Sequence, residues 1–298
     1  MIAIDLGSNT LRVLEYDCAT GQRLSEYEKV VKTADGLVQY GIINDEAIAR
    51  VISAIKDAQE KIDFSSSVIK AVTTEAIRRA SNATEVLLQI QKETGVVFEI
   101  ISGTEEARLT LQAVKYRLSK LHYAADSFVL VDIGGGSTEL IFHYANETIA
   151  KSFPVGIVTI AQTYETLENI EKALAQEMSD MQIFSAQMYA SRGKVHSFIA
   201  TAGTPTTVSA MKLGQTYKTY DASKINGISL EKDELDFYLK KLLSMSFEEM
   251  EISVGTGRSD LVAAGILIYK QLYTLLEFDR CVVIDDGLRE GVALEVCK

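Results

Sequence analysis

Tryptophan is absent from this 298-residue chain, and proline, cysteine and histidine are scarce, with two, three and three residues. The cysteines, Cys18, Cys281 and Cys297, are far apart and form no CxxC or Cys/His pattern, so we expect three buried free thiols. No histidines are paired at ligand spacing, which speaks against a histidine-based zinc site or a His-centred catalytic triad. Any metal is therefore expected to be a hard cation bound by oxygen atoms.

Long apolar segments and basic clusters are also missing. No apolar run reaches the length of a membrane span, and the N-terminal MIAIDLGSN lacks the basic region that opens a signal peptide. We therefore expect a cytoplasmic protein with no membrane contact. The formal net charge of −11 argues against a nucleic-acid-binding surface. A polyanionic ligand would meet overall repulsion, so it would need a local cluster of arginine, lysine, backbone N–H groups and metal.

Two segments of the chain resemble each other, AIDLGSNTLRVLEY (3–16) and VDIGGGSTELIFHY (131–144). Each reads as an apolar strand with an aspartate, a glycine loop with a hydroxyl group, and a second strand that ends in tyrosine. The second loop is expected to be one residue longer. Because the repeat opens each half of the chain, it indicates a duplicated domain. We place the predicted domains at 1–124 and 125–298, with a C-terminal helix at about 287–298 that packs back on the first domain.

Both halves alternate predicted strands and amphipathic helices, which indicates an α/β architecture with mixed sheets. Helical periodicity follows Asn44 and Ser102, so both residues are predicted helix N-caps. In the second half, ENIEKALAQEMSDMQIFSAQMYASRG predicts one long helix that ends at Gly193.

Glycine loops follow apolar strands at four places. Successive N–H groups in such loops form concave anion sites, and glycine lets the backbone come close to the anion. None of the loops is a Walker A motif, and no GxGxxG fingerprint occurs at a βα turn. One such loop alone favours an ordinary turn, but the set favours a phosphate ligand. The loops are DLGSNT (5–10), DIGGGST (132–138), TAGTPTT (201–207) and DDGLREG (285–291).

Carboxylates accompany the two repeated loops. Phosphoryl transfer depends on positioning and charge neutralisation, so its sites hold a divalent cation through carboxylates. Asp5 and Asp132, one in each half, are expected to face each other across a cleft. Glu139 lies seven residues after Asp132, and taken alone it reads equally well as an exposed strand residue.

These stretches resemble the exopolyphosphatase and guanosine pentaphosphate phosphatase (Ppx/GppA) family, which shares the fold of actin, hexokinase and the Hsp70 ATPase domain. ISGTEEA and DIGGGSTE are the most specific motifs. The resemblance implies two duplicated ribonuclease H-like (actin-like ATPase) domains with mixed five-stranded sheets flanked by helices, and an active site in the interdomain cleft. The matching stretches run in family order at 3–14, 74–82, 99–111, 130–141, 153–160, 201–211, 257–268 and 287–294.

The resemblance also implies roles for individual residues. Glu106, the glutamate before alanine in ISGTEEA, would be the general base that activates the attacking water. Asp132 and Glu139 would be catalytic carboxylates that hold metal and water, and Asp5 would join them as a metal ligand. The cofactor would be Mg²⁺ or another divalent cation. The phosphate-binding residues would be Gly7, Ser8, Asn9, Arg12, Arg78, Gly134, Gly135, Gly136, Ser137, Thr138, Gly203 and Thr204.

Several of these charged residues could also have a purely structural role. Arg12 and Arg78 could be ordinary surface residues, and Glu105 could merely pair with Arg108 three residues later on an exposed helix face. Arg258 and Arg289 are further basic positions that match the family, with Lys32 a weaker one.

The function expected from the sequence is a Mg²⁺-dependent phosphoanhydride hydrolase, in the first place an exopolyphosphatase that removes terminal phosphate from inorganic polyphosphate. The alternatives are a guanosine pentaphosphate 5'-phosphohydrolase and a non-catalytic polyphosphate or nucleotide sensor. A kinase or ATPase of the same fold is a further alternative, because fold does not fix function, but no stretch resembles an acceptor pocket. The chain is expected to be a short form of the family, without the helical C-terminal region of longer members, and a homodimer is compatible with the resemblance.

Overall fold

The computed structural model describes residues 1–65 and 67–298. The chain divides into two compact units. The first unit contains residues Met1–Ala113 and Gly287–Lys298, and the second contains Val114–Asp286. In the described residues, no helix is both long and apolar enough to cross a membrane.

The strands of the described chain form one mixed sheet in each unit. The first sheet has the order β3-β2-β1-β4-β5 and the second has the order β10-β11-β9-β6-β7-β8. The strands are β1 (Ile2–Leu6), β2 (Thr10–Asp17), β3 (Gln22–Val30), β4 (Ile69–Thr73), β5 (Phe98–Ile100), β6 (Phe128–Ile133), β7 (Thr138–His143), β8 (Thr148–Phe153), β9 (Ser197–Thr201), β10 (Ile228–Glu231) and β11 (Arg280–Val283).

The two sheets repeat one topology, which confirms the predicted duplication. In each sheet three antiparallel strands (β1–β3 or β6–β8) continue into two parallel ones (β4 and β5, or β9 and β11). The prediction of five strands is correct for the first sheet and wrong for the second, where β10 pairs antiparallel with β11 as a sixth strand. The four residues of β10 are too few to show a recognisable alternation.

Helices cover the sheets, as predicted from the alternating pattern. They are α1 (Leu37–Tyr40), α2 (Asp45–Lys61), α3 (Glu75–Arg79), α4 (Ala83–Thr94), α5 (Gly103–Lys120), α6 (Ile157–Tyr164), α7 (Leu167–Glu177), α8 (Ser179–Arg192), α9 (Gly203–Lys212), α10 (Ala222–Ile225), α11 (Lys232–Leu243), α12 (Phe247–Val254), α13 (Ser259–Leu275) and α14 (Leu288–Val296), with a 3₁₀ turn at Tyr217–Thr219.

Both predicted N-caps are confirmed. The Asn44 side chain accepts a hydrogen bond from the N–H of Ala47 at 2.7 Å, and the Ser102 hydroxyl oxygen accepts one from the N–H of Glu105 at 3.1 Å. Each cap satisfies an N–H group that has no partner inside its helix.

The single long helix predicted before Gly193 is wrong, because the chain breaks into α7 and α8 at Met178. Met178 has φ −98° and ψ 10°, outside the helical range, yet its side chain is buried in the core of the second unit. Buried apolar residues continue at helical spacing on both sides of the break, from Leu174 to Met181. The break is therefore not visible in the apolar periodicity.

The expected set of three free thiols is also wrong. Cys18, just after β2, and Cys297, just after α14, form a disulfide within the first unit. Cys281 is free and buried in the second unit, where burial raises the pKa of its thiol to about 12. The buried hydroxyl of Tyr273 donates its hydrogen bond to the Leu230 carbonyl at 2.6 Å, and its oxygen lies 3.0 Å from the Cys281 sulfur. The disulfide joins residues 279 positions apart, and such a distance gives no sequence signal of pairing.

Candidate active site

The predicted site segments lie at the carboxyl ends of parallel strands in both units. In the first unit, β1, β4 and β5 lead into the loop 7–9, helix α3 and helix α5. In the second unit, β6, β9 and β11 lead into the loop 134–137, helix α9 and the segment 285–287. Ligands of open α/β sheets bind outside these ends, so each unit brings its predicted loops to the edge where a ligand is expected.

The same backbone hydrogen bond closes each of the two repeated loops. The N–H of Gly7 donates to the carbonyl of Thr10 at 3.0 Å, and the N–H of Gly134 donates to the carbonyl of Ser137 at 2.8 Å. The flanking strand pairs Leu6–Leu11 and Ile133–Thr138 each enclose four residues. The predicted extra residue in the second loop is therefore wrong.

In the first unit, N–H groups of the segment after β3 hold the loop by donating hydrogen bonds to the carbonyl groups of the loop. The carbonyl of Ser8 accepts from the N–H of Ala34 at 2.8 Å, and the carbonyl of Asn9 accepts from the N–H groups of Val31 and Lys32 at 2.9 Å each. In a planar trans peptide the N–H points opposite to the C=O. The N–H of Asn9 therefore points away from this segment, as an anion contact requires.

In the second unit, helix α6 holds the glycine loop in the same way. The carbonyl of Gly134 accepts from the N–H of Ile157 at 3.0 Å, and that of Gly135 accepts from the N–H of Val158 at 2.8 Å. The same peptide geometry turns the N–H groups of Gly135 and Gly136 away from α6. The first N–H groups of α6, which have no partner inside the helix, are satisfied by the loop itself.

Glycine is required just before α6. A Cβ atom on Gly156 would lie 2.4 Å from the carbonyl oxygen of Gly135 and 2.5 Å from the carbonyl carbon of Gly136. Backbone atoms cannot yield as a flexible side chain can, so a side chain here would displace the loop. Gly156 lies in the stretch FPVGIV, and its contact with the loop could not be read from the sequence.

Asp132 and Glu139 lie directly opposite each other on β6 and β7, and both are buried. Oε1 of Glu139 accepts hydrogen bonds from the hydroxyl of Ser137 at 2.9 Å and from that of Ser152 on β8 at 2.7 Å. The Ser137 hydroxyl proton is thus directed to Glu139. Ser152 is absent from the predicted site, although it directly precedes the family-like stretch 153–160.

Of the remaining predicted residues of the second unit, Thr138 and Thr204 are buried and Gly203 is partly buried. The hydroxyl of Thr138 donates to the carbonyl of Val155 at 2.5 Å. At the start of α9, Thr204 packs so closely on α13 that a Cβ on Gly265 would lie 2.1 Å from its hydroxyl oxygen. Gly203 lies beside the guanidinium of Arg258, whose Nη2 would be 3.1 Å from a Cβ on this glycine.

A partly buried charge cluster lies on the strands that flank the first loop. Arg12 lies opposite Asp5 in the β1–β2 ladder, with Nη1 3.6 Å from the Asp5 carboxylate and Nε 3.1 Å from that of Glu28. Burial alone would lower the pKa of Arg12, but the charges of Glu28 and Asp5 raise it, and it lies above its ordinary value. The structure thus brings Arg12 to the predicted metal ligand Asp5, and the guanidinium is fully charged there.

Glu106 and Arg78 come together in the first unit. Glu106 is buried in the first turn of α5, and its Oε2 lies 3.9 Å from Nη1 of Arg78 in α3. The same Nη1 donates to the carbonyl of Ile101 at 2.6 Å, and Nη2 contacts the carboxylate of Glu75. The side chain of Arg78 is 25% exposed, so it remains within reach of a ligand.

Three further charged residues, Glu105, Arg108 and Arg289, form ion pairs within the first unit. Glu105 and Arg108 form the exposed i,i+3 pair considered as an alternative, with two hydrogen bonds of 2.8 Å. Arg289 is buried in α14 and bonds Glu26 at 2.7 Å and Glu290 at 2.6 Å. This family-like arginine therefore takes part in an internal ion-pair network of the first unit.

The chain is similar to a known protein family over almost its whole length. The model of the Ppx/GppA phosphatase family matches residues 16–298. The chain belongs to this family. It is a phosphoanhydride hydrolase, in agreement with the predicted enzyme class.

Relatives of this Ppx/GppA protein align with it from end to end. Exopolyphosphatase 2 of Mycobacterium tuberculosis is 26% identical over 320 aligned positions, which cover 99% of this chain and 97% of that protein. A Ppx/GppA family member from Aquifex aeolicus matches with a TM-score of 0.74 and 27% identity, covering 99% of this chain and 96% of that one. An exopolyphosphatase from Cytophaga hutchinsonii shares the fold, with a TM-score of 0.87 and 22% identity over 99% of this chain and 97% of that one.

Two carboxylates of this Ppx/GppA protein, those of Asp132 and Glu139, provide the oxygen donors that a magnesium ion prefers. Within the described part of the chain, no group of three or more His, Cys, Asp or Glu side chains is placed to hold a metal ion. Mg²⁺, however, is usually held by one or two carboxylates, and water and substrate phosphate complete its shell. Asp132 and Glu139, opposite each other on one sheet face, supply such a pair.

Proposed function

We propose that the protein is an exopolyphosphatase that hydrolyses the terminal phosphoanhydride bond of inorganic polyphosphate with Mg²⁺. The observation that carries this proposal is the placement of the buried Glu106 carboxylate 3.9 Å from the Arg78 guanidinium. A base for water thus lies beside a cation for phosphate, in the segments that follow two adjacent parallel strands, β4 and β5. The name of the Mycobacterium tuberculosis relative supports polyphosphate as the substrate.

The first unit supplies the base and part of the phosphate contacts. Glu106 accepts a proton from the attacking water and orients it toward the terminal phosphorus. Arg78 and Arg12 offset the negative charge of the phosphate oxygens, and the N–H of Asn9 donates to them. As the bond from the attacking oxygen to phosphorus forms, the bond from phosphorus to the bridging oxygen breaks. The products are orthophosphate and a polyphosphate shorter by one unit.

The second unit supplies the glycine cradle and the cation site. The N–H groups of Gly135 and Gly136 donate to phosphate oxygens, as in other backbone anion sites. Asp132 and Glu139 would hold Mg²⁺, and the hydroxyl of Ser152 keeps Glu139 in one orientation. The bound ion supplies charge neutralisation of the phosphate oxygens. The cytoplasmic location and the homodimer stay predictions.

One assay tests the proposed substrate. The purified chain with Mg²⁺ is incubated in parallel with long-chain polyphosphate, guanosine pentaphosphate and ATP, and phosphate release is measured. We expect polyphosphate to give the largest kcat/KM. A larger value for guanosine pentaphosphate would replace the proposal with the 5'-phosphohydrolase, and binding without release in all three would replace it with a sensor.

A single substitution tests the base. Glu106→Gln keeps the shape of the side chain and should reduce kcat at least about a hundredfold, since a general base contributes factors of this order. Binding of polyphosphate should persist. Glu105→Gln is the matched control, because it removes one carboxylate from the neighbouring, exposed position, and it should keep most activity. Full turnover by Glu106→Gln would overturn the assignment.

A further inference from the structure

Arg78 contacts more than one carboxylate in the first unit. Its Nη2 contacts Glu75, three residues earlier in α3, while its Nη1 lies 3.9 Å from Glu106 and donates to the carbonyl of Ile101 at 2.6 Å. The proposed phosphate-binding guanidinium therefore already has two hydrogen-bond acceptors of the protein, Glu75 and Ile101, and a further ion-pair contact with Glu106.

Glu75 is held on its other side as well. Nε of Arg79 lies 3.8 Å from its second carboxylate oxygen, and the Glu75 side chain is 13% exposed. Glu75, Arg78, Arg79 and Glu106 together carry two positive and two negative charges. The positive charge of Arg78, which would bind a phosphate, is thus already balanced by carboxylates of the protein.

A phosphate and Glu75 need the same nitrogen of the guanidinium. Arginine binds phosphate through two parallel N–H groups on one edge, either those of Nη1 and Nη2 or those of Nε and Nη2, so Nη2 takes part in both arrangements. The N–H of Nη2 that points to Glu75 must leave this carboxylate or be shared before such a contact forms. Partly exposed ion pairs contribute little to stability, so the exchange requires only a small change in free energy.

We propose that the Glu75 carboxylate is an internal competitor of phosphate for Arg78. It occupies the guanidinium in the absence of substrate and is displaced by the dianionic terminal phosphate of the chain. It returns when the product orthophosphate leaves, so it weakens product binding and sets the substrate affinity of the first unit. This role of Glu75 rests on the proposed function of Arg78 as a phosphate contact.

A competitor and a structural support differ in the sign of their effect. If Glu75 only positions Arg78, its loss should weaken substrate binding, because the guanidinium becomes less ordered. If Glu75 competes, its loss should strengthen the binding of both substrate and product. The direction of the change in KM therefore decides between the two roles.

Glu75→Gln is the variant of choice because it removes the charge and keeps the size of the side chain. With inorganic tripolyphosphate as the probe and Mg²⁺ present, we expect a KM lower by about two- to fivefold, the factor that corresponds to a partly exposed ion pair. The inhibition constant of orthophosphate should fall by a similar factor. Glu75→Ala provides a second charge-free variant should the glutamine variant fold poorly.

Two controls isolate the contact with Arg78. Glu105→Gln removes the partner of Arg108 in an i,i+3 pair of the same kind, so it reports the general effect of one lost negative charge. In an Arg78→Ala background, Glu75→Gln should leave KM unchanged, since coupled residues are not additive. A KM that rises or stays constant in Glu75→Gln would overturn the competitor role. An equal fall in Glu105→Gln or in the Arg78→Ala background would overturn it too.

The experiment separates this role from the proposed reaction. If the wild-type chain releases no phosphate, the exopolyphosphatase proposal fails, and calorimetric binding of tripolyphosphate to wild type and Glu75→Gln still tests the competitor. Tighter binding by the variant supports it. Equal or weaker binding, or no binding to either protein, overturns it.

Discussion

Asp132 on β6 and Glu139 on β7 lie directly opposite each other in an antiparallel ladder, so their side chains leave the same face of the sheet. The equivalent positions of the first unit hold Asp5 and Arg12. The repeated hairpin thus carries two carboxylates in one copy and a carboxylate with a guanidinium in the other. Like charges directly opposite each other are unfavourable, which a cation between Asp132 and Glu139 would offset.

Ser152 should control the orientation of Glu139. Its hydroxyl donates to Oε1 of Glu139 at 2.7 Å, from the neighbouring strand β8. Because partners of metal ligands typically contribute about 10- to 100-fold in metal affinity or activity, Ser152→Ala should raise the half-saturating Mg²⁺ concentration by about tenfold. Phosphate release at varied Mg²⁺ measures this.

Two comparisons make the Ser152 test specific. Ser152→Thr retains the hydroxyl and should recover part of the Mg²⁺ affinity. Ser191→Ala removes a hydroxyl that donates to a helical carbonyl at 2.7 Å, and it should leave the Mg²⁺ dependence as in wild type. An unchanged Mg²⁺ dependence in Ser152→Ala would contradict the positioning role.

The parts of the fold that follow local rules are predictable from the sequence. The strand before each glycine loop, the caps at Asn44 and Ser102 and the duplicated hairpins are such parts, because apolar periodicity and a few short-range hydrogen bonds determine them. The exact strand count is not, since the short β10 depends on pairing with β11.

The partners of the candidate site residues are not predictable in this way. Ser152 reaches Glu139 through the register of β7 and β8, and Arg78 reaches Ile101 through the adjacency of β4 and β5. Long-range pairing creates these contacts, and no local pattern encodes it. The proposed role of Glu106 rests on the resemblance to a family, whereas its contact with Arg78 is visible only in the structure.

Ala202 should be under backbone strain at the entrance to α9. It has φ 71° and ψ −171°, a region that glycine alone adopts readily. Such strain amounts to about 1–3 kcal/mol, whereas a new glycine costs about 0.4–1 kcal/mol through the unfolded chain. Ala202→Gly should therefore raise the free energy of unfolding of the second unit by about 1 kcal/mol, as measured by denaturant titration.

Ala200 provides the contrast to Ala202 in the same segment. It lies two residues earlier, buried in the regular strand β9. Ala200→Gly should lower the free energy of unfolding by at least about 0.5–1 kcal/mol. If both variants destabilise the unit to a similar degree, Ala202 is not strained.

Glu290 should make the first unit sensitive to acid. Burial raises the pKa of this carboxyl, but the charges of Arg289 and Arg23 lower it more, and the pKa lies below its ordinary value of 4.5. A depressed pKa contributes stability that is fully present above pH 4.5 and is lost as the pH falls below that value toward the folded-state pKa. The unfolding free energy of wild type should therefore fall in this range.

The difference between wild type and Glu290→Gln isolates this titration from those of other carboxylates. At pH 7 the variant should be less stable by up to about 3–5 kcal/mol, because it removes one of the two carboxylates that pair with the buried Arg289, and only Glu26 remains. The difference should shrink as the pH is lowered below 4.5. A difference that is independent of pH would show that Glu290 does not titrate in this range.

The disulfide between Cys18 and Cys297 should stabilise the first unit and hold the end of α14 to the turn after β2. It closes a loop of 279 residues, and cross-links of this kind contribute about 2–4 kcal/mol, largely by restricting the unfolded chain. Dithiothreitol should therefore lower the unfolding midpoint of wild type in denaturant. Cys18→Ser should show the lower midpoint from the start and respond to dithiothreitol no further, since neither of its two remaining cysteines, Cys297 and the buried Cys281, is part of an intrachain disulfide. A wild-type midpoint that does not change on reduction would mean that the bond contributes no stability.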